Sequence, residues 1–358
     1  MTPDASSERV TSPLWESQEP INISISGPMQ TAFDAAFAGQ PDGFFPPIRI
    51  KESFLGELRY TAAGNEVVLQ VKLKVRGNSS LQECAFPKMK ISTFVDDERA
   101  NSIFYKAKRV KIGTHCADLG DDDTGIIGRL RNQKAAYRES FIYQMMRKLD
   151  MPSKWTRPAL ITYTDTSATG LNTGWTVERM AFLFDNADNL VKRYGLALRE
   201  EGAWGQADSD KVNRLLAAKI HFLHALIGNW DWELPLVASG PQAPWNMHFL
   251  VGDGGELRPV AYDFDLSSVV TGKPYRANQL PDELYPDEPL LFRQAAYFLL
   301  PSKTDFDEAT RDEAVRFFRA AEPILRTTLN DYPMDMDGKQ LHAEHMNAFY
   351  DVLDREYP

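Results

Sequence analysis

Between Val67 and Val75 the chain alternates without a break: Val67, Leu69, Val71, Leu73 and Val75 fall on one side, Val68, Gln70, Lys72 and Lys74 on the other. Successive strand side chains point to opposite faces, so this run predicts a strand with one face on a core and one in water. Gly64-Asn65 just before it predicts a tight turn from another strand around Leu58–Tyr60. Ile21, Ile23 and Ile25 alternate in the same way and stop at Gly27-Pro28. Lys88–Phe94, Arg109–Gly113, Ala159–Tyr163 and Trp175–Phe184 read as further strands, and 30–38 as a short helix.

The period then changes. Tyr137, Phe141 and Met145 lie four apart, which predicts a helix ending at Leu149, before Met151-Pro152. Ser209 is placed to cap a long helix through Leu226, with Leu215, Leu216, Ile220 and Leu223 on its buried side. A hairpin follows, Met247–Val251 and Leu257–Phe264 around Gly252–Gly255, and then helices over Glu308–Leu329 and Leu341–Leu353. The expected organisation is a disordered tail over 1–20, a β-rich lobe over 21–185 and a helical lobe over 186–358.

Composition removes several functions. A net charge of −10 argues against nucleic acid, whose binding needs a basic surface. No apolar run reaches the length of a membrane-spanning helix. Cys84 and Cys116, the two cysteines, are too few for a zinc cage and enough for one disulfide. Pairing is geometrically allowed within one lobe, but spacing alone does not establish it. The first twenty residues are polar and carry no apolar signal-peptide core, which fits a cytoplasmic chain or an exported one whose leader has been removed.

The most specific chemistry lies between Asn229 and Asp265. Phosphoryl transfer asks little covalent work of a protein: a carboxylate to orient the acceptor, oxygen ligands for Mg²⁺, and cations on the phosphates. In protein kinases these parts follow a fixed order of helix, loop with Asp and Asn, hairpin, and a second Asp at its exit. Here a helix runs into Ile227-Gly228-Asn229-Trp230-Asp231, Asn246 opens the hairpin, and Asp263-Phe264-Asp265 closes it. Asp231 would orient the acceptor, while Asn246, Asp263 and Asp265 would hold the metal. Trp232 to Trp245 intervene between Asp231 and Asn246, against about four residues in ordinary kinases. The expectation is that this insertion folds out and leaves its ends close together.

Upstream, Arg76-Gly77-Asn78-Ser79-Ser80 and Phe86-Pro87-Lys88-Met89-Lys90 resemble the RGNSS…PK signature of the CotH-type atypical kinases. Tyr137-Arg138-Glu139 opening a helix and Gly174-Trp175-Thr176-Val177-Glu178 resemble further elements of that family, as do Gly228-Asn229-x-Asp231, Asn246 and Asp263-x-Asp265. Cys84-x-Phe86-Pro87 and Thr114-His115-Cys116 are similar to a bacterial branch of it. The resemblance spans roughly residues 65–270. It implies an α+β, two-lobed protein-kinase-like fold, ATP with Mg²⁺ or Mn²⁺, and transfer of phosphate to protein Ser/Thr. It also implies Lys90 or Lys111 as the phosphate-gripping lysine, Glu139 as its ion-pair partner, and Gly77, Asn78 and Ser79 as an ATP-binding turn. Exported relatives of that branch imply a periplasmic or secreted location. The acceptor does not carry over, and no oligomeric state is implied.

Other clusters have plainer readings. Asp118, Asp121, Asp122 and Asp123 fail the EF-hand spacing and read as a solvated loop, and Asp335 and Asp337 as an interhelical turn. His221 and His224 have a zinc-like spacing but no third ligand, and no GxSxG elbow supports a hydrolase. Beside a protein kinase stand two alternatives: a small-molecule kinase with the same Asp…Asn…Asp order, and a binding protein without catalysis.

Overall fold

The computed structural model describes residues 12–38, 52–77, 79–93, 102–114, 116–117, 120, 123–167, 174–200, 202–236, 243–274 and 280–358. It divides into two compact units, Met1–Ser140 with Lys154–Gly195, and Phe141–Ser153 with Leu196–Pro358. These boundaries differ from the expected 21–185 and 186–358. Within the expected tail, Pro13–Trp15 forms a 3-10 turn whose Leu14 and Trp15 are fully buried. The disordered reading therefore fails from residue 12 onward; residues 1–11 lie outside the described residues.

The first unit is a closed barrel of strands in the order β1-β2-β3-β4-β5-β7-β6. The strands are β1 (Ile21–Gly27), β2 (Ser53–Ala62), β3 (Asn65–Val75), β4 (Met89–Thr93), β5 (Arg109–Thr114), β6 (Thr156–Asp165) and β7 (Thr176–Asp185). This corrects the expected two-lobed protein-kinase-like fold: the strands of the β-rich part close into a barrel. The reason is β1, which pairs antiparallel with β2 on one side and parallel with β6 on the other. Alternation fixes which face of a strand is buried and says nothing of how many partners its edges have.

The alternation in β3 holds as read: Leu69, Val71, Leu73 and Val75 are buried in the barrel core with Leu58, Ile91 and Ile112, and Val68 is exposed. Ala62 pairs with Asn65 across the tight turn, in which Gly64 takes a left-handed φ of 81°. Helices α1 (Met29–Phe37), α2 (Ser80–Glu83) and α3 (Lys134–Lys148), the last shared between units, accompany the barrel strands. Cys84 and Cys116 are joined by a disulfide. Beside it, the buried Glu83 accepts from Arg129 at 2.6 Å and from the Ile127 N–H at 3.0 Å. The short α4 (Ala187–Tyr194) completes this unit.

The second unit is helical around a three-stranded sheet, β8 (Ala197–Leu198), β9 (Met247–Val251) and β10 (Leu257–Ala261), in the order β10-β9-β8. Its helices are α5 (Gln206–Ser209), α6 (Arg214–Ile227), α7 (Ser268–Thr271), α8 (Leu290–Leu299), α9 (Ser302–Asp305), α10 (Glu308–Asp331) and α11 (Met336–Glu356). The long helix expected from Ser209 is two helices, and Asn213 caps the second by accepting from the Leu216 N–H at 2.8 Å. Phe222 of α6 stacks on Phe318 of α10 and meets Phe349 of α11 edge-on, which centres the core on α6. Asp335, read as a turn residue, caps α11 through the Gly338 N–H. Among the described residues no helix is long and apolar enough to cross a membrane.

Two changes test the first unit. A Cβ at Gly56 would lie 2.6 Å from the Ser26 carbonyl oxygen and 2.7 Å from Leu73 Cδ1. Gly56→Ala should therefore cost about 1–3 kcal/mol by overpacking, read as a lower urea midpoint. Cys84→Ser opens a covalent loop spanning 32 positions. On the chain-entropy account it should cost about 3–4 kcal/mol in the same assay.

Candidate functional site

The site in the second unit starts at the end of α6. Gly228 takes a left-handed φ of 60° and turns the chain out of the helix, so the Asn229 N–H reaches back to the His224 carbonyl at 2.9 Å. A Cβ at Gly228 would lie 2.1 Å from Gln294 Nε2 and 2.9 Å from Ser268, so the turn is closed to any side chain. The Ser268 N–H and hydroxyl both donate to the Gly228 carbonyl, each at 3.1 Å, fixing the loop from α7.

Asn229 is fully buried and acts as a two-sided brace. Its Oδ1 accepts the Asp231 N–H at 3.2 Å, and its Nδ2 faces His224 Nδ1 at 3.0 Å. Because the amide oxygen is committed to Asp231, the NH₂ must be the donor to His224. His224 Nδ1 is then unprotonated and its proton sits on Nε2. Trp232 stacks on the same imidazole, centroids 4.1 Å apart. Burial, with His221 next in strength, holds the His224 pKa well below its ordinary value, which keeps Nδ1 an acceptor.

Asp231 carries the next set of contacts. Asn246 Nδ2 donates to its backbone carbonyl at 2.7 Å and to Oδ2 at 3.0 Å; the Trp245 indole N–H donates to Oδ1 at 3.0 Å. The two ends of the insertion lie close together, as expected. Glu233 and Trp245 exchange both backbone hydrogen bonds, at 3.1 and 3.0 Å, and pinch its ends together. Residues 237–242 lie outside the described residues.

Asp263 follows directly on this junction. The Tyr262 N–H bonds to the Asn246 carbonyl at 3.0 Å, extending the β9–β10 pairing by one step, and the Asp263 N–H donates to the Tyr143 hydroxyl at 3.0 Å. The hairpin strand ends at Ala261, not Phe264, because Asp263 adopts a left-handed φ of 65°. Asn246 is left-handed too, at 54°. Phe264 is fully buried, its ring centroid 5.0 Å from that of Tyr143 and 5.9 Å from that of His224, while Asp265 is buried to 7% exposure. Asn246 Nδ2 donates both of these bonds to Asp231, leaving Oδ1 as its second functional atom. Among the described residues, no three His, Cys, Asp or Glu side chains gather as a metal cage.

The other predicted residues belong to the first unit. Lys90 and Lys111 stand opposite each other on β4 and β5. Lys90 makes no ion pair with a described residue, and the predicted partner Glu139 is buried. The expected Lys90–Glu139 pair is thus not formed; Glu139 lies inward on α3, whereas Lys90 is on the outer side of its strand. Gly77 is left-handed at φ 86° and Ser79 accepts from Arg129 at 3.0 Å; Asn78 lies outside the described residues, as do Asp118, Asp121 and Asp122 of the acidic loop. Reading the sequence missed Asn213 as the helix cap, Tyr143 as the support of Asp263, and Trp245 as a donor to Asp231. Asn213, a strong cap residue before an apolar stripe, was the one with a local signal.

No protein-family model matches the chain, and no curated protein matches it either.

The buried imidazoles of this unit set a pH dependence. Burial lowers the pKa of His221, His224 and His345, the last to about 4. The unfolded chain takes up these protons near pH 6.5, before the folded one does. Their contribution is therefore fully present above about pH 6.5 and lost as pH falls, at about 1 kcal/mol per pH unit for each histidine. Urea midpoints should drop between pH 7 and pH 5, and His345→Leu should reduce the slope of that drop.

Proposed function

We propose that the second unit catalyses metal-dependent phosphoryl transfer from ATP to a hydroxyl acceptor, a protein serine or threonine, with Asp231 orienting that acceptor. The observation carrying this reading is the Asn246 carboxamide, bonded to both the backbone and the carboxylate of Asp231 across 15 positions of sequence. That contact joins the Asp and Asn of the kinase order, and the Tyr262–Asn246 bond sets Asp263 one residue beyond.

Asn246 Oδ1 and the carboxylates of Asp263 and Asp265 are hard oxygen donors of the kind Mg²⁺ and Mn²⁺ prefer. A site of one or two carboxylates suits Mg²⁺, which completes its shell with phosphate oxygens and water. Such an ion, when bound, supplies neutralisation of charge on the transferring phosphate. Asp231 does the protein's share. Held by Asn246 and Trp245, it accepts the proton of the acceptor hydroxyl as that oxygen bonds to the γ-phosphorus. The bond to the bridging oxygen breaks, and ADP leaves. The motif order supports placing the chain with the CotH-type kinases under this same proposal. The Cys84–Cys116 disulfide supports an oxidising, extracytoplasmic setting.

One observation favours a non-catalytic binding protein instead: both Asp231 oxygens already accept a hydrogen bond. A carboxylate has about four lone-pair sites, so accepting from Trp245 and Asn246 does not by itself bar an acceptor hydroxyl. Incubation with radiolabelled ATP and Mg²⁺ or Mn²⁺ separates the readings. The wild type should label itself or a generic protein, and Asp231→Asn or Asp263→Asn should lower labelling by about 100-fold or more. No label on protein or metabolites from a folded wild type would establish the binding reading in its place.

A further inference from the structure

Lys74 stands opposite Lys90, and Lys90 opposite Lys111, so three lysines form one row across β3, β4 and β5. All three are half-buried on the outer side of the barrel, because Val75, Met89 and Ile112 beside them face the core. Arg76 is pinned nearby by hydrogen bonds to the Met89 and Ile112 carbonyls at 3.2 and 3.1 Å. Burial lowers the Lys90 pKa first, then repulsion from Lys74, Arg109 and Arg76; Asp188 opposes them, but it is already paired with Arg109 at 2.8 Å. Neither Lys74 nor Lys90 has an ion pair with a described residue.

Like charges directly opposite in a sheet repel. The chain as a whole carries −10, so this concentration of positive charge is not a by-product of basic composition. A bound anion removes the repulsion, and the spacing selects among anions. Strands lie about 4.8 Å apart, so the row spans roughly 10 Å. One phosphate is too small to meet both ends. Acidic side chains on one side of an extended peptide recur about every 6.7 Å, out of step with the row. A short chain of linked phosphates is compact, flexible and dense in charge.

We infer that the Lys74–Lys90–Lys111 row is a binding site for an oligophosphate, a ligand with two or more linked phosphate groups. It holds whether or not the second unit transfers phosphate, because binding here needs no turnover.

Calorimetry with inorganic tripolyphosphate, without metal, reads the site directly. The wild type should bind it more tightly than orthophosphate, and Lys90→Gln and Lys74→Gln should each weaken binding by about tenfold or more. A charge-matched Lys211→Gln control in the other unit should bind as the wild type does. Both lysine variants should melt at or above the wild-type temperature, since each removes repulsion. ATP binding as tightly as tripolyphosphate assigns recognition to the phosphate chain alone; tighter ATP binding adds nucleoside contacts and supports the same site. No binding of tripolyphosphate at millimolar concentration, equal binding by the lysine variants, or tighter binding of an oligoglutamate peptide would overturn the inference.

Discussion

Backbone groups at the edge of a sheet need partners, and in the first unit β1 supplies the last of them. By pairing with β2 on one side and β6 on the other it turns seven strands into a ring with no free edge among them. Closure also fixes what surrounds it. Asp165, at the end of β6, accepts the Gln30 N–H at 3.0 Å and the Ser167 hydroxyl at 2.7 Å, and so anchors the start of α1 beside the end of β1. Gly27 and Gly56 lie where Leu73 crosses inside, where a Cβ would come within 2.5 and 2.7 Å of its Cδ1. The close packing of the ring and its lack of side chains at these points are one constraint.

In the second unit the corresponding constraint is a turn. Once Gly228 leaves α6 in left-handed geometry, Ser268 and Gln294 hold the turn from behind and Asn229 braces it from below. Asp231 then has little freedom, and the Glu233–Trp245 bridge delivers Asn246 to it across the insertion. The bridge makes the length of the excursion geometrically irrelevant to the Asp231–Asn246 contact. A long loop whose ends are paired by backbone hydrogen bonds costs only slowly more as it lengthens.

What was legible in the sequence follows from which forces are local. The period-two runs identified β1 and β3 to within about two residues, because burial on one face of a strand is written into alternate positions. The ring was not legible: a second partner for β1 lies at β6, far along the chain, and no alternation encodes it. The break between α5 and α6 was hidden because Ser209 and Asn213 are both good caps, and only backbone geometry chooses between them. At the site, the order Asp231, Asn246, Asp263 could be read, and so could the closeness of the two ends of the insertion. The Tyr143 and His224 supports could not, since each is an ordinary member of a helical stripe until tertiary packing gives its polar atom a partner.

Backbone conformation separates the side chains of this loop from mere turn residues. Ala63 takes a positive φ beside Gly64 in a tight hairpin, where the turn itself demands it. Asn246 and Asp263 do so at the two ends of a hairpin whose own reversal lies elsewhere, at Gly254 and Gly255. Glycine would meet the left-handed requirement at both positions with less strain. It would also remove the carboxamide that holds Asp231 and the carboxylate of Asp263. Asn and Asp are the side chains that tolerate this region best while still carrying an oxygen donor. The left-handed backbone at these two residues keeps an oxygen-bearing side chain at the start and at the exit of the hairpin, the placement on which the proposed transfer relies.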